Sequence, residues 1–91
     1  LKDLIIVRGR NYYPHDLEWT AQQAHPGLRR GYGAAFSVEG KTGELVVLVH
    51  EIDKQMSESD LAEVVGAIRR ALADEYELEL HSVALIKSGT I

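Results

Sequence analysis

The run Leu4-Ile5-Ile6-Val7-Arg8-Gly9-Arg10-Asn11-Tyr12-Tyr13-Pro14 leaves a folding chain few choices. Ile5, Ile6 and Val7 are β-branched and favour a strand. Gly9 and Asn11 tolerate the dihedrals of a tight reversal. Tyr12-Tyr13 offers a short second run. Pro14 then suits the first position of a helix, where its missing N–H would have had no partner anyway. Asp16 and Glu18 fall in the first helical turn, where the helix dipole favours negative charge. The segment predicts a β-hairpin with a doubly basic, glycine-containing tip that feeds straight into a helix.

The rest of the chain supplies elements for that hairpin to pack on. A helix is expected from Pro14 to about Ala24, with Leu17, Ala21 and Ala24 on one stripe. Trp19 lies off the stripe and is expected to pack locally, the alternative being a contact with a neighbouring domain. His25-Pro26-Gly27 stops the helix. Residues 28–38 contain a strand in which Ala34, Phe36 and Val38 alternate with Ala35 and Ser37, implying one face on the core. Gly31-Tyr32-Gly33 reads as a bend at its entry. Glu39 to Gly43 is a turn. Glu44 to Ile52 is the strongest strand, and its unbroken apolar centre argues for burial on both faces. These two strands form an antiparallel hairpin. Ser57 and Asp60 form a capping box in its Asp version. The helix that follows is expected to reach about Glu75. It carries Leu61, Val64, Val65, Ile68 and Leu72 on one stripe and sends Glu58, Glu63, Arg69, Arg70 and Asp74 to solvent. A last strand spans residues 79–87, with Val83 and Leu85 on one face. The fold class is therefore α+β: an N-terminal β-hairpin, then α-β-β-α-β, with helices packed on a small mixed sheet in one domain over residues 1–91.

Composition narrows the function. A chain of 91 residues, 45% hydrophobic and 26% charged, has ordinary globular content. No apolar run approaches the ~20 residues of a membrane-spanning helix. The net charge of −4 is a poor field for phosphate backbones, so no nucleic-acid partner is expected. Cysteine is absent, which removes disulfides, thiol nucleophiles and Cys-based zinc sites from this segment. The four histidines, at 15, 25, 50 and 81, lack ligand spacing and read as surface or strand-facing residues. No nucleophile elbow or phosphate loop appears. Arg29-Arg30 and the Arg8/Arg10 pair are the basic clusters. The sequence opens on Leu1 rather than Met and is read as a piece of a longer protein, with a cytoplasmic location expected.

Lys2-Asp3-Leu4-Ile5-Ile6-Val7-Arg8-Gly9-Arg10-Asn11-Tyr12-Tyr13-Pro14-His15-Asp16-Leu17-Glu18 resembles the hinge region of the adenylate-forming superfamily. That group includes acyl-CoA synthetases, peptide-synthetase adenylation domains and luciferases. Lys-Asp at the hinge and Arg-Gly-Arg-Asn after it are most similar to the fatty acyl-AMP ligases. Lys2 stands where most of the superfamily has Asp, and Asn11 where many members have Arg; both agree with that subgroup. His15 stands where the subgroup usually has Gln.

The resemblance implies a mobile C-terminal domain, with residues 1–13 as hinge and hairpin and with the N-terminal domain of the same enzyme as its partner. Lys2 and Asp3 would be the pivot. Arg8, Gly9, Arg10 and Asn11 would face the acceptor tunnel and the acyl carrier protein, with Gly9 leaving room for the acceptor arm. No catalytic or metal-binding residue is expected within the segment; the adenylation lysine is expected after Ile91. ATP and Mg²⁺ would serve the whole enzyme, which would activate a fatty acid as acyl-adenylate and pass it to the carrier. Two other readings stay open: a C-terminal domain of a ligase using free coenzyme A, and a stand-alone α+β module binding protein or RNA.

Overall fold

The computed structural model describes residues 4–41, 43–52 and 56–87, with the side chains of residues 29–31 excepted. Two short strands, β1 (Ile5–Val7) and β2 (Arg10–Tyr12), form the expected hairpin, and helix α1 (Pro14–Gln22) follows at once. Strands β3 (Leu28–Gly40) and β4 (Gly43–Ile52) come next, then helix α2 (Glu58–Tyr76) and strand β5 (Ser82–Lys87). The hairpin is a sheet of its own, and the second sheet has the order β3-β4-β5.

That second sheet is mixed for a topological reason. β3 and β4 are joined by a tight turn after Gly40 and run antiparallel, with Phe36 opposite Val47 and Val38 opposite Leu45. β4 and β5 run parallel, with Leu48 opposite Val83 and His50 opposite Leu85. Parallel neighbours need a crossover, and α2 is that crossover. Its start is fixed by the expected capping box: Asp60 N–H donates to Ser57 Oγ at 3.3 Å, and Ser57 N–H donates to Asp60 Oδ2 at 3.2 Å. Its stripe behaves as the spacing predicts, with Val64, Ile68 and Leu72 fully buried and Leu61 packed against the same core. Glu58, Glu63, Arg69, Arg70 and Asp74 are exposed as expected.

α1 starts without a side-chain cap. Pro14 fills the first position, and the Tyr13 carbonyl accepts from the N–H groups of Asp16 and Leu17. The helix ends at Gln22, two residues short of the expected Ala24, although Ala24 still packs on the core. α1 also covers the free edge of β3, where the Ala35 N–H donates to Glu18 Oε2 at 2.9 Å. An edge strand left bare would be open to pairing with another chain.

The β3 alternation puts one face on the core, as expected: Ala35 is buried, whereas Phe36 and Val38 are 44% and 40% exposed and point away from the helices. Two expectations are corrected. β4 is not buried on both faces: Val46, Leu48, His50 and Ile52 are buried, while Leu45, Val47 and Val49 on the opposite face are only half-buried. The reason is the same for both strands. Both helices supply their apolar stripes to one side of the sheet, and among the described residues no helix covers the other. Trp19 does not pack locally either, being 59% exposed. The Gly31-Tyr32-Gly33 bend is present as a register shift between Leu28 and Gly33.

One close approach defines the centre of the sheet. Gly33 is paired with His50, whose side chain is 1% exposed. A Cβ on Gly33 would lie 2.5 Å from His50 Nδ1 and 2.9 Å from Cε1. A buried ring cannot yield as a flexible chain end can. Gly33→Ala is therefore expected to destabilise the chain by about 1–3 kcal/mol, as overpacking does. The check is a lowered urea midpoint at unchanged slope.

Candidate functional site: the hairpin and its anchors

The tip of the first hairpin is the two-residue loop Arg8-Gly9, closed by the pair Val7 and Arg10. Both tip residues have positive φ, 50° at Arg8 and 77° at Gly9. That is the signature of a type I′ turn, whose twist matches that of the flanking strands. Arg10 and Asn11, expected in the turn, belong instead to β2. The register splits the hairpin into two faces. Ile5 and Tyr12 are buried and Val7 packs on the core, whereas Ile6 and Asn11 face outward. Arg8, Gly9, Arg10 and Asn11 are all exposed, and a Cβ on Gly9 would meet no atom within 4 Å.

Strands of three residues do not hold their own orientation. Contacts distant in sequence do so here. On the β1 side, Ile6 N–H donates to Glu44 Oε1 at 3.2 Å. On the β2 side, the carbonyl of Tyr76 accepts from Arg10 Nη1 and from the Tyr12 hydroxyl, each at 3.3 Å. The Tyr12 and Tyr76 rings meet edge to face, 6.2 Å between centroids. The Tyr76 hydroxyl also lies 3.2 Å from Thr20 Oγ1 and 3.4 Å from the Asp16 carbonyl on α1. Arg10 pairs with Glu77 at 3.2 Å. Hydrogen bonding to Tyr12 and then the charge of Glu77 hold its pKa above the ordinary arginine value. The pair is solvent-exposed and so adds little stability.

Glu77 makes the Tyr76 carbonyl available. It takes left-handed dihedrals, φ 54° and ψ 39°, which end α2. Its N–H and that of Leu78 turn back to the carbonyls of Ala73 and Leu72. The hairpin therefore stands between two grooves of different charge. One, of about 640 Å³, is bordered by Arg8, Arg69 and His81 together with Glu44 and Glu79. The other, of about 490 Å³, is bordered by Arg10 and by Asp16, Asp74, Glu75 and Glu77.

The structure thus brings Arg8, Gly9, Arg10 and Asn11 together on one projection. Lys2 and Asp3 lie outside the described residues, as do the side chains of Arg29 and Arg30. Sequence reasoning missed Glu44, Tyr76 and Glu77 as parts of this site; Arg69 is exposed as expected and also borders the groove beside Arg8. Arg69 also donates to the Leu80 carbonyl. Glu44 and Tyr76 lie 38 to 66 positions from the hairpin residues they hold, so no local pattern announces them. Among the described residues, no group of three or more His, Asp or Glu side chains gathers as a metal site.

A glycine-tipped hairpin feeding a helix and a three-stranded mixed sheet is the architecture found within adenylate-forming enzymes. The chain superposes on a McyG adenylation–carrier structure complexed with phenylalanyl-adenylate with a TM-score of 0.85 at 25% identity, covering 96% of this chain and 14% of that one. A fatty acyl-adenylate ligase from a study of the E. coli and L. pneumophila enzymes gives 0.76 at 28% identity, covering 100% and 16%. Residues 2–91 match the family described as Disco-interacting protein 2-like, AMP domain, and the chain belongs to that family. It is 48% identical to the medium-chain-fatty-acid–acyl-carrier-protein ligase JamA of Moorena producens, over 100% of this chain and 16% of that protein. It is 34% identical to the long-chain-fatty-acid–AMP ligase FadD32 of Mycobacterium marinum, over 100% of this chain and 18% of that protein. A putative acyl-CoA synthetase of Caulobacter vibrioides is 53% identical over 53% of this chain and 9% of that protein. The chain therefore spans about a sixth of the length of the first two relatives.

The tip geometry generates a stability prediction. Asn adopts left-handed dihedrals more readily than Arg and is favoured at the first position of a type I′ turn. Arg8→Asn is expected to stabilise the chain by up to about 1 kcal/mol, the strain of a non-glycine residue in that region. A raised midpoint in chemical denaturation is the check.

Proposed function

We propose that this chain is the mobile C-terminal domain of a fatty acyl-AMP ligase, with residues 1–91 as one domain and residues 1–13 as hinge and hairpin. The whole enzyme joins a fatty acid to ATP as acyl-adenylate, with Mg²⁺, releases pyrophosphate, and passes the acyl group to an acyl carrier protein. ATP and Mg²⁺ are assigned to the remainder of the enzyme, as is the adenylation lysine. Lys2 and Asp3 are the pivot. We place the working enzyme in the cytoplasm; no helix among the described residues is long and apolar enough to cross a membrane.

The observation that carries this reading is the open glycine tip. A projection that is exposed on all sides and lacks a Cβ at its apex suits the close passage of another molecule's arm. Arg8 and Arg10 flank that apex and attract an anionic phosphopantetheine arm. The full-length likeness to an acyl-carrier-protein ligase supports the acceptor. The likeness to an acyl-CoA synthetase over part of the chain supports a second reading, in which the acceptor is free coenzyme A. Offering both thiols to the full-length enzyme separates them. The family match argues against the stand-alone binding module.

The test uses the full-length enzyme and measures pyrophosphate release and acyl transfer separately. Gly9→Asn keeps the left-handed backbone but adds bulk at the apex. It is expected to leave acyl-adenylate formation within about twofold and to slow transfer by about tenfold or more, the scale of a misplaced reacting group. Equal loss in both steps, or none in transfer, would overturn the assignment. The isolated 91-residue chain is expected to release no pyrophosphate.

A further inference from the structure

We infer that Glu44 and Tyr12 are positioning residues for acyl transfer: they hold the hairpin from its two opposite edges and so set where the Gly9 tip stands. The inference rests on the assignment of the tip to the acceptor. In a hairpin closed by Val7 and Arg10, the next pair, Ile6 and Asn11, is the non-hydrogen-bonded one, and its N–H groups point outward. The Ile6 N–H therefore has no partner within the hairpin. The Glu44 carboxylate meets it at 3.2 Å. Glu44 is the second residue of β4, directly after Gly43, which has a φ of 137°. The bond thus ties the first hairpin to the turn end of the second.

Tyr12 works from the other edge. Its ring is buried against Tyr76, and its hydroxyl donates to the Tyr76 carbonyl at 3.3 Å. That carbonyl is oriented by the left-handed Glu77. Arg10 reaches the same oxygen, but its exposed side chain also belongs to the proposed acceptor surface, so it is a poor probe of positioning alone. Glu44 lines the groove behind the tip that also carries Arg8. Tyr12 lines the acidic groove on the other side. Loss of either anchor loosens one edge of a three-residue strand pair, with Arg10 still reaching the Tyr76 carbonyl on the β2 side, and the apex moves through the largest arc. The Glu44 grip is the right kind to act on geometry rather than on folding, because a bond to an exposed N–H contributes little to global stability, and Tyr12→Phe keeps the buried ring in place.

The experiment again uses the full-length enzyme. Four variants are compared in pyrophosphate release, in kcat and KM for transfer to the acyl carrier protein, and in melting temperature: Glu44→Ala, Glu44→Gln, Tyr12→Phe and Gly9→Asn. Positioning predicts that Glu44→Ala and Tyr12→Phe each lower kcat for transfer by about five- to tenfold, with carrier KM, pyrophosphate release and melting temperature nearly unchanged. Gln keeps an acceptor oxygen for the Ile6 N–H, so Glu44→Gln is expected to recover most of the transfer rate. If Gln behaves like Ala, the charge of Glu44 matters rather than its grip, and the inference falls. It falls also if Glu44→Ala and Tyr12→Phe leave transfer intact while Gly9→Asn blocks it. If Gly9→Asn itself spares transfer, it is the acceptor assignment that fails.

Discussion

One peptide carbonyl, that of Tyr76, joins the parts of this fold that sequence order keeps apart. It ends α2, accepts from Arg10 and Tyr12 of β2, and belongs to a residue whose ring and hydroxyl reach Tyr12 and α1. It can do so because the last carbonyls of a helix have no partner within it. Glu77 takes the left-handed turn that leaves this one facing the hairpin while its own N–H returns to Ala73 and that of Leu78 to Leu72. Without that reversal the hairpin would be a pair of three-residue strands attached to the body by one bond from Glu44 and the packing of its inner face.

Anchored this way, the hairpin divides its residues by task. Ile5, Val7 and Tyr12 give it a foot in the core, and Arg8, Gly9 and Asn11 stay free of the body. The positive φ values at Arg8 and Gly9 keep the strands twisted together up to the apex. A projection that is rigid at its base and empty at its apex matches the role proposed for it beside a thiol acceptor. The pivot would then lie before β1, because the hairpin itself is bonded to both the sheet and α2.

The sheet shows how packing redistributes what a pattern suggests. Residues 45–49 form an unbroken apolar run that reads as burial on two sides, and the alternation over residues 34–38 leaves open which of its faces is buried. The helices cover only the side carrying Val46, Leu48 and Ala35, where Val64, Ile68 and Leu72 meet them. On that side small residues matter. Gly33 makes room for the buried His50 ring, and Ala35 leaves space next to α1, whose Glu18 takes its N–H. Leu28 at the start of β3 reaches the core, but Phe36 and Val38 face outward, away from the layer in which Ala35 meets α1. Alternation shows that two faces exist; the volume available beneath each decides which is buried.

What the sequence determined by itself is every signal that acts over a few residues. The β-branched run into Gly9, the proline that opens α1, the Ser57–Asp60 box and the stripe of α2 each settle local dihedrals, so the hairpin and both helices were legible. The resemblance carried by residues 2–18 pointed to the family for the same reason: a contiguous motif survives reading in one dimension. Tertiary structure alone decided that Glu44 and Tyr76 hold the hairpin, that Ala35 rather than Phe36 is buried, and that Trp19 stays outside. Each depends on partners tens of residues away, whose nearness is set by how the helices fill one side of a sheet and not by any neighbour in the chain.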